Sequence, residues 1–169
     1  MSDREPSVSA SAKSAADWAL ESLRCEAQCW RDTGHPSLFA EFLLRNGRPF
    51  DGVDHVSSSG ARRQCFMNAI TYADKFGLRY VEGDCFVNGS MAVHHAWCAD
   101  GPMALETTLP KSQNQRLLYF GVEFSARDAF KLMETNRVYG LFAPDQVWNR
   151  ALMHQIDPAL PVLAGLTAK

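Results

Sequence analysis

Two turn sequences, Asn88-Gly89 and Asp100-Gly101-Pro102, restrict the fold of this chain more than any other feature. The stretch 78–87 is rich in aromatic and β-branched residues, which indicates a strand. Asn-Gly is a strong signal for a tight hairpin turn, so 91–99 is predicted as the return strand. The second turn then leads into a third predicted strand at 103–109. We therefore expect an antiparallel meander in the middle of the chain.

Apolar residues at helical spacing predict helices on both sides of this meander. We expect two helices before it, over 15–31 behind an N-cap at Ser14 and over 37–45. A third helix is predicted over 65–76, with Gly77 placed to end it. Two more follow the strands, from Ser125 to about 135 and from about 144 to 155. The stretch 47–60 is predicted as a long loop, and 117–124 as a short apolar segment.

This order of elements predicts an α+β fold in one domain. N-terminal helices and the helix at 65–76 would pack on one antiparallel sheet. The chain has 169 residues, of which 46% are hydrophobic, enough for a single globular domain. Residues 1–13 are small and polar, so we expect a disordered arm there and a domain over 14–169.

Charge and hydropathy exclude several classes of partner. The formal net charge is −2, and the basic residues are scattered, which argues against nucleic-acid binding. No apolar run is long enough to span a bilayer, and the N-terminus lacks the apolar core of a signal sequence. We expect a cytoplasmic protein without a membrane partner. The sequence does not predict an oligomeric state.

One of the five cysteines, Cys65, stands where a thiol can act as a nucleophile. It opens a predicted helix directly after a loop rich in Gly and Ser. The unpaired N–H groups of a first helical turn favour a thiolate and can also hold an oxyanion. The other four, Cys25, Cys29, Cys85 and Cys98, are predicted inside helices or strands, where a free cysteine is usually a buried small hydrophobe.

A base and an acid for such a thiol lie on the next two predicted strands. His94 and His95 must point to opposite faces of the sheet, because side chains alternate along a strand. Glu106 follows on the neighbouring strand and is placed to accept an Nδ1–H hydrogen bond from one of them.

Three segments carry a resemblance to a known superfamily: Arg63-Gln-Cys65-Phe-Met-Asn68, His94-His95-Ala-Trp97 and Leu105-Glu106-Thr-Thr108. Their order resembles the transglutaminase-like branch of the papain-like cysteine hydrolases. The resemblance covers roughly residues 60–125. Small bacterial and phage proteins of uncertain function are also similar, in the segments Tyr80-Val-Glu82-Gly83, His95-Ala-Trp97 and Tyr119-Phe-Gly121-Val122. It implies that Cys65 is the nucleophile, His95 the base and Glu106 the third member of a triad.

The resemblance also implies a reaction. Members of the superfamily attack amide or ester carbonyls as proteases, deamidases or transglutaminases. The expected substrate is a protein, a peptide or a small amide, and we expect no cofactor and no metal. Gln64 and Asn68 are candidate oxyanion donors, and Trp97 is expected to shield and orient the histidine.

Two alternatives remain open from the sequence. Cys85, His94, His95 and Cys98 offer two sulfur and two nitrogen ligands for zinc, although no C-x₂-C pair is present. The chain is alternatively a non-catalytic binding or inhibitory protein that keeps a hydrolase-like scaffold.

Overall fold

A computed structural model describes residues 13–56, 60–89, 91–138, 140–142 and 147–160. The described helices are α1 (Ala15–Asp32), α2 (Leu38–Asn46), α3 (Cys65–Phe76), α4 (Ala126–Asn136) and α5 (Val147–Ile156). The described strands are β1 (Arg48–Pro49), β2 (Gly52–His55), β3 (Arg79–Val87), β4 (Met91–Asp100), β5 (Met103–Glu106) and β6 (Leu117–Ser125). The α+β class is confirmed. The predicted disordered arm, except for its last residue, and the predicted start of the last helix at 144 lie outside the described residues.

The first four helices begin and end within one residue of the predicted positions. The hydroxyls of Ser14, Ser37 and Ser125 accept hydrogen bonds from backbone N–H groups in the first turns of α1, α2 and α4. Gly77 ends α3 with a left-handed φ of 67°, a conformation that glycine adopts without steric penalty. Within the described part of the chain, no helix has both the length and the apolar character needed to cross a membrane.

The predicted meander is confirmed. Asn88 and Gly89 have φ values of 54° and 73° and join β3 to β4 in a tight hairpin. These strands pair antiparallel over their whole length, from Arg79↔Ala99 to Val87↔Met91. β5 is also antiparallel to β4, but their ladder is short and stops at Cys98↔Leu105.

The prediction of a purely antiparallel sheet is wrong. The six strands are ordered β1-β6-β3-β4-β5-β2, and β2 runs parallel to β5. The stretch predicted as a loop over 47–60 contains β1 and β2, and the apolar segment after residue 116 is β6, which pairs with β3. Strands of two and four residues, with the sequences Arg-Pro and Gly-Val-Asp-His, carry little local signal. They are strands because of the neighbours they meet in the fold.

The sheet is strongly curled. Only Phe50 and Asp51 separate β1 from β2, yet these strands occupy opposite edges of the sheet. The connection is hydrogen-bonded at both sides, from Phe50 N to Tyr119 O at 3.0 Å and from Asp51 N to Pro102 O at 3.0 Å. The curl encloses a small apolar cluster on its inner face, formed by Phe50, Val81, Cys85, Trp97, Ala99, Ala104 and Tyr119. The outer face packs on the helices and forms the larger core.

Two glycines set how closely the central strands approach each other. Gly83 of β3 pairs with Gly121 of β6. A Cβ added at Gly83 would lie 2.2 Å from the carbonyl oxygen of Phe120, and one at Gly121 would lie 2.7 Å from the ring of Trp97. The absence of side chains here lets Trp97 lie against the backbone of β6.

We expect Gly83→Ala to lower the free energy of unfolding by about 3 kcal/mol, because the added methyl group meets backbone that cannot move aside. Gly34→Ala is the matched control. A Cβ added at Gly34 would have no atom within 4 Å, so alanine there meets no steric clash. Only the φ of 75° disfavours alanine, and we expect it to lower the free energy of unfolding by about 1 kcal/mol. Urea denaturation measures both. Equal losses in the two variants would contradict the close approach of β3 and β6.

Candidate functional site

A buried histidine–carboxylate pair lies on the inner face of the sheet. His95 and Glu106 are 3% and 1% exposed, and His95 Nε2 is 2.9 Å from Glu106 Oε2. Both side chains share the face of Ala99 and Ala104, which are paired between β4 and β5. The structure differs from the prediction in the ring atom used, which is Nε2 and not Nδ1. Strand alternation fixes the face to which a ring points, but not the rotation of the ring.

Hydrogen bonds compensate for the burial of Glu106. Its Oε1 accepts from the backbone N–H groups of Thr108 at 2.6 Å and Leu109 at 2.8 Å, while Oε2 also accepts from the Tyr119 hydroxyl. Burial opposes ionisation, but the bonds from His95, Tyr119 and the Leu109 amide outweigh it and lower the pKa of Glu106 to about 2. The carboxylate is therefore charged throughout the neutral range.

Cys65 meets the same histidine from α3. It is the first residue of the helix and is half-buried, and it lies close enough to His95 to raise the pKa of that ring. Because Nε2 is engaged by Glu106, Nδ1 is the ring nitrogen that remains for the thiol. Burial would lower the pKa of His95, but the contacts with Cys65 and Glu106 raise it to about 9. The structure thus brings Cys65, His95 and Glu106 together.

Cys65 can reach His95 because the pairing between β4 and β5 ends before His95. α3 packs on the outer face, where the Cys98 thiol donates to Ala69 O at 3.2 Å. His95 lies three residues before Cys98, beyond the last pair with β5. Because the two strands are no longer hydrogen-bonded there, the first residue of α3 reaches a ring that points to the inner face.

Aromatic rings support the pair from within the curl. The ring of Trp97 is fully buried and nearly parallel to that of His95, with centroids 6.3 Å apart and an interplanar angle of 18°. The rings of Tyr119 and Phe50 also pack against Trp97, with centroids 4.7 Å and 5.5 Å from it. Trp97 therefore lies beside the histidine, as the sequence suggested. Tyr119 was missed, because nothing local indicates that its segment pairs with β3.

The two candidate oxyanion donors differ in their surroundings. Gln64 is the N-cap residue of α3; its exposed side chain makes no capping hydrogen bond. Asn68 Nδ2 donates to Ala61 O at 2.8 Å and to Thr108 Oγ1 at 2.9 Å. Both amide hydrogens of Asn68 thus hold the loop before α3 to the chain that follows β5, which leaves Gln64 as the available side chain.

The outer face carries a second buried carboxylate. His94 points opposite to His95, with Nε2 3.0 Å from Glu82 Oε1. Glu82 accepts hydrogen bonds from the Tyr80 hydroxyl at 2.6 Å and from the backbone N–H groups of Leu141 and Phe142 at 2.7 and 2.6 Å. It therefore anchors the segment 141–142 to β3.

The four ligands of the alternative zinc site are divided between the two faces. Cys85 and His95 point into the curl, whereas His94 and Cys98 point toward the helices. Among the described residues, no three His, Cys, Asp or Glu side chains are arranged to hold a metal ion. The cysteines also differ in exposure, since Cys85 and Cys98 are buried while Cys25 and Cys29 are exposed on α1.

Three comparisons with known proteins returned no match. No protein-family model, no curated protein and no solved structure is significantly similar to this chain. The geometry of the site and the motifs in the sequence are therefore what indicates a function.

We expect Glu106→Gln to lower the pKa of His95 from about 9, because the substitution removes the carboxylate charge that favours the imidazolium. NMR titration of the His95 ring measures this shift. Glu123→Gln, on β6 and paired with Arg48, is the control and should leave the titration unchanged. A pKa of His95 that stays near 9 in Glu106→Gln would contradict the assigned pairing.

The same pair makes stability depend on pH in a defined window. The pKa of His95 is raised from 6.5 to about 9, so its contribution is complete below 6.5 and is lost as pH rises through 9. The pKa of Glu106 is lowered from 4.5 to about 2, so its contribution is complete above 4.5 and is lost as pH falls through 2. Urea denaturation should therefore show the largest difference between wild type and Glu106→Gln from pH 4.5 to 6.5.

Proposed function

We propose that this protein is a thiol-dependent amide or ester hydrolase or acyltransferase that uses Cys65, His95 and Glu106. The observation that carries the proposal is the buried His95 ring, which lies between a carboxylate and a thiol at the start of a helix. The resemblance to transglutaminase-like and papain-like cysteine hydrolases supports the same roles. A protein, a peptide or a small amide is the expected substrate.

The arrangement supports a two-step acyl transfer. In its neutral form, His95 takes the thiol proton, and Cys65 Sγ attacks the substrate carbonyl to form a tetrahedral oxyanion. His95 then gives the proton to the departing amine or alcohol, and a thioester forms on Cys65. Water or a second amine attacks this thioester, again with His95 as base, and the acid or the new amide leaves with regeneration of the thiol.

The roles of the other residues follow from their contacts. Glu106 fixes the ring of His95 and stabilises its charged form, as the acid of a catalytic triad does. The backbone N–H of Cys65 and the side chain of Gln64 are the proposed oxyanion donors, since both lie at the N-terminus of α3. The buried ring of Trp97 lies beside the imidazole and keeps water from that side of it.

The exposed cysteines of α1 serve as internal controls for the reactivity of Cys65. If exposure alone sets reactivity, Cys25 and Cys29 react with iodoacetamide faster than the half-buried Cys65. We expect the opposite order at pH 7, measured by mass spectrometry of the labelled peptides, because His95 lies beside Cys65 and is placed to act as its base. His95→Ala should slow labelling of Cys65 about tenfold or more, whereas His94→Ala, on the other face, should change it little.

Turnover is tested separately with an activated ester such as p-nitrophenyl acetate. We expect a covalent acetyl group on Cys65, absent in Cys65→Ser, and a loss of about 10²–10⁴ in rate in His95→Ala. Labelling of Cys65 no faster than that of Cys25 and Cys29 would contradict the triad. Selective labelling without acylation would instead favour a binding protein on a hydrolase-like scaffold.

A further inference from the structure

The curled sheet leaves an opening between two of its strands. β2 is hydrogen-bonded only to β5, and β6 only to β1 and β3, so the edges of β2 and β6 face each other without pairing. A cavity of about 280 Å³ lies along this seam, between Gly52–His55 and the start of β6. We call it the seam cavity. It is distinct from the candidate site, because Cys65, His95 and Glu106 do not line it.

The inner wall of the seam cavity is apolar. Phe50, Val53 and Leu117 line it, and all three belong to or pack on the cluster inside the curl. Its volume lies just below the roughly 300–1,000 Å³ of pockets that hold drug-sized ligands. The cavity therefore suits a small ligand whose apolar part packs on these side chains.

The rim of the seam cavity carries positive charge. Lys111 and Arg116 line it, none of the described residues that line it is acidic, and neither cation forms an ion pair with a described carboxylate. The guanidinium carbon of Arg116 lies 5.8 Å from the centre of the Trp18 ring. His55 adds a ring whose Nδ1 donates to Leu109 O at 3.2 Å, which holds the ring at the wall.

We propose that the seam cavity binds a small amphipathic carboxylate, an apolar chain or ring that ends in a carboxylate group. The apolar part packs on Phe50, Val53 and Leu117, and the carboxylate lies between Lys111 and Arg116. Unpaired cations beside an apolar cavity favour this ligand over a neutral or cationic one of the same shape. The site does not depend on the proposed function of Cys65.

The test is an NMR titration of the full-length ¹⁵N-labelled protein with sodium octanoate. We expect saturable shifts of the backbone amides of Phe50, Val53 and Leu117. Three control ligands at the same concentrations separate the contribution of the apolar chain from that of the negative charge. Acetate lacks the apolar chain, whereas octanamide and octylammonium lack the negative charge. Octanoate should bind more tightly than all three, and its affinity should fall with rising salt.

The double substitution Lys111→Gln/Arg116→Gln should weaken octanoate binding at least about fivefold. Arg127→Gln/Lys131→Gln is the matched control, since it removes the same two charges from exposed positions of α4. The proposal is overturned if octanoate shifts no amide at the cavity, or if octanamide or octylammonium binds as tightly. Equal binding of octanoate by the two double variants overturns it as well.

Discussion

The rest of the fold depends on the two-residue connection between β1 and β2. Because Phe50 and Asp51 join strands at opposite edges, the sheet must curl until those edges nearly meet. The curl gives the sheet an enclosed inner face as well as a helix-covered outer face. A flat sheet would expose Trp97 and Tyr119 to water, and His95 and Glu106 would lie on a solvated surface. Burial of the pair is thus a consequence of topology.

Three buried acids among the described residues differ in the hydrogen bonds that their carboxylates accept. Glu106 and Glu82 each accept hydrogen bonds from two backbone N–H groups and a tyrosine hydroxyl, and each faces a histidine. Asp84 is also buried, but its Oδ2 has no hydrogen-bond partner. Burial, and then the nearby charge of Glu26, raise the pKa of Asp84 to about 7, whereas the pKa of Glu106 is about 2. Partners, rather than burial alone, decide whether a carboxylate in this core is charged.

Local sequence predicts the parts of this fold that local physics controls. The serine caps, the left-handed Gly77 and the Asn88-Gly89 turn each depend on a few neighbouring atoms, so the five helices and the meander could be predicted. β1 and β2 could not, because short strands without an apolar alternation exist only through pairing partners distant in sequence. For the same reason the sheet order and the inner position of Tyr119 were not predictable.

The candidate site is also predictable only in the features that local sequence controls. The helix start at Cys65, the opposite faces of His94 and His95 and the strand of Glu106 follow from periodicity and turn signals. The choice of Nε2 over Nδ1 and the donors to Glu106 arise from tertiary contacts that no local pattern encodes.

Gly121 shows how far such contacts reach. Because it has no side chain, the ring of Trp97 lies against the backbone of β6, and Trp97 in turn lies parallel to His95. The orientation of the histidine toward Cys65 is therefore held from three sides. Glu106 binds one ring nitrogen, Trp97 lies beside the ring, and β4 fixes the backbone through its pairing with Gly83. A side chain restrained in this way loses little conformational entropy when a partner binds, which is the physical condition for a preorganised base.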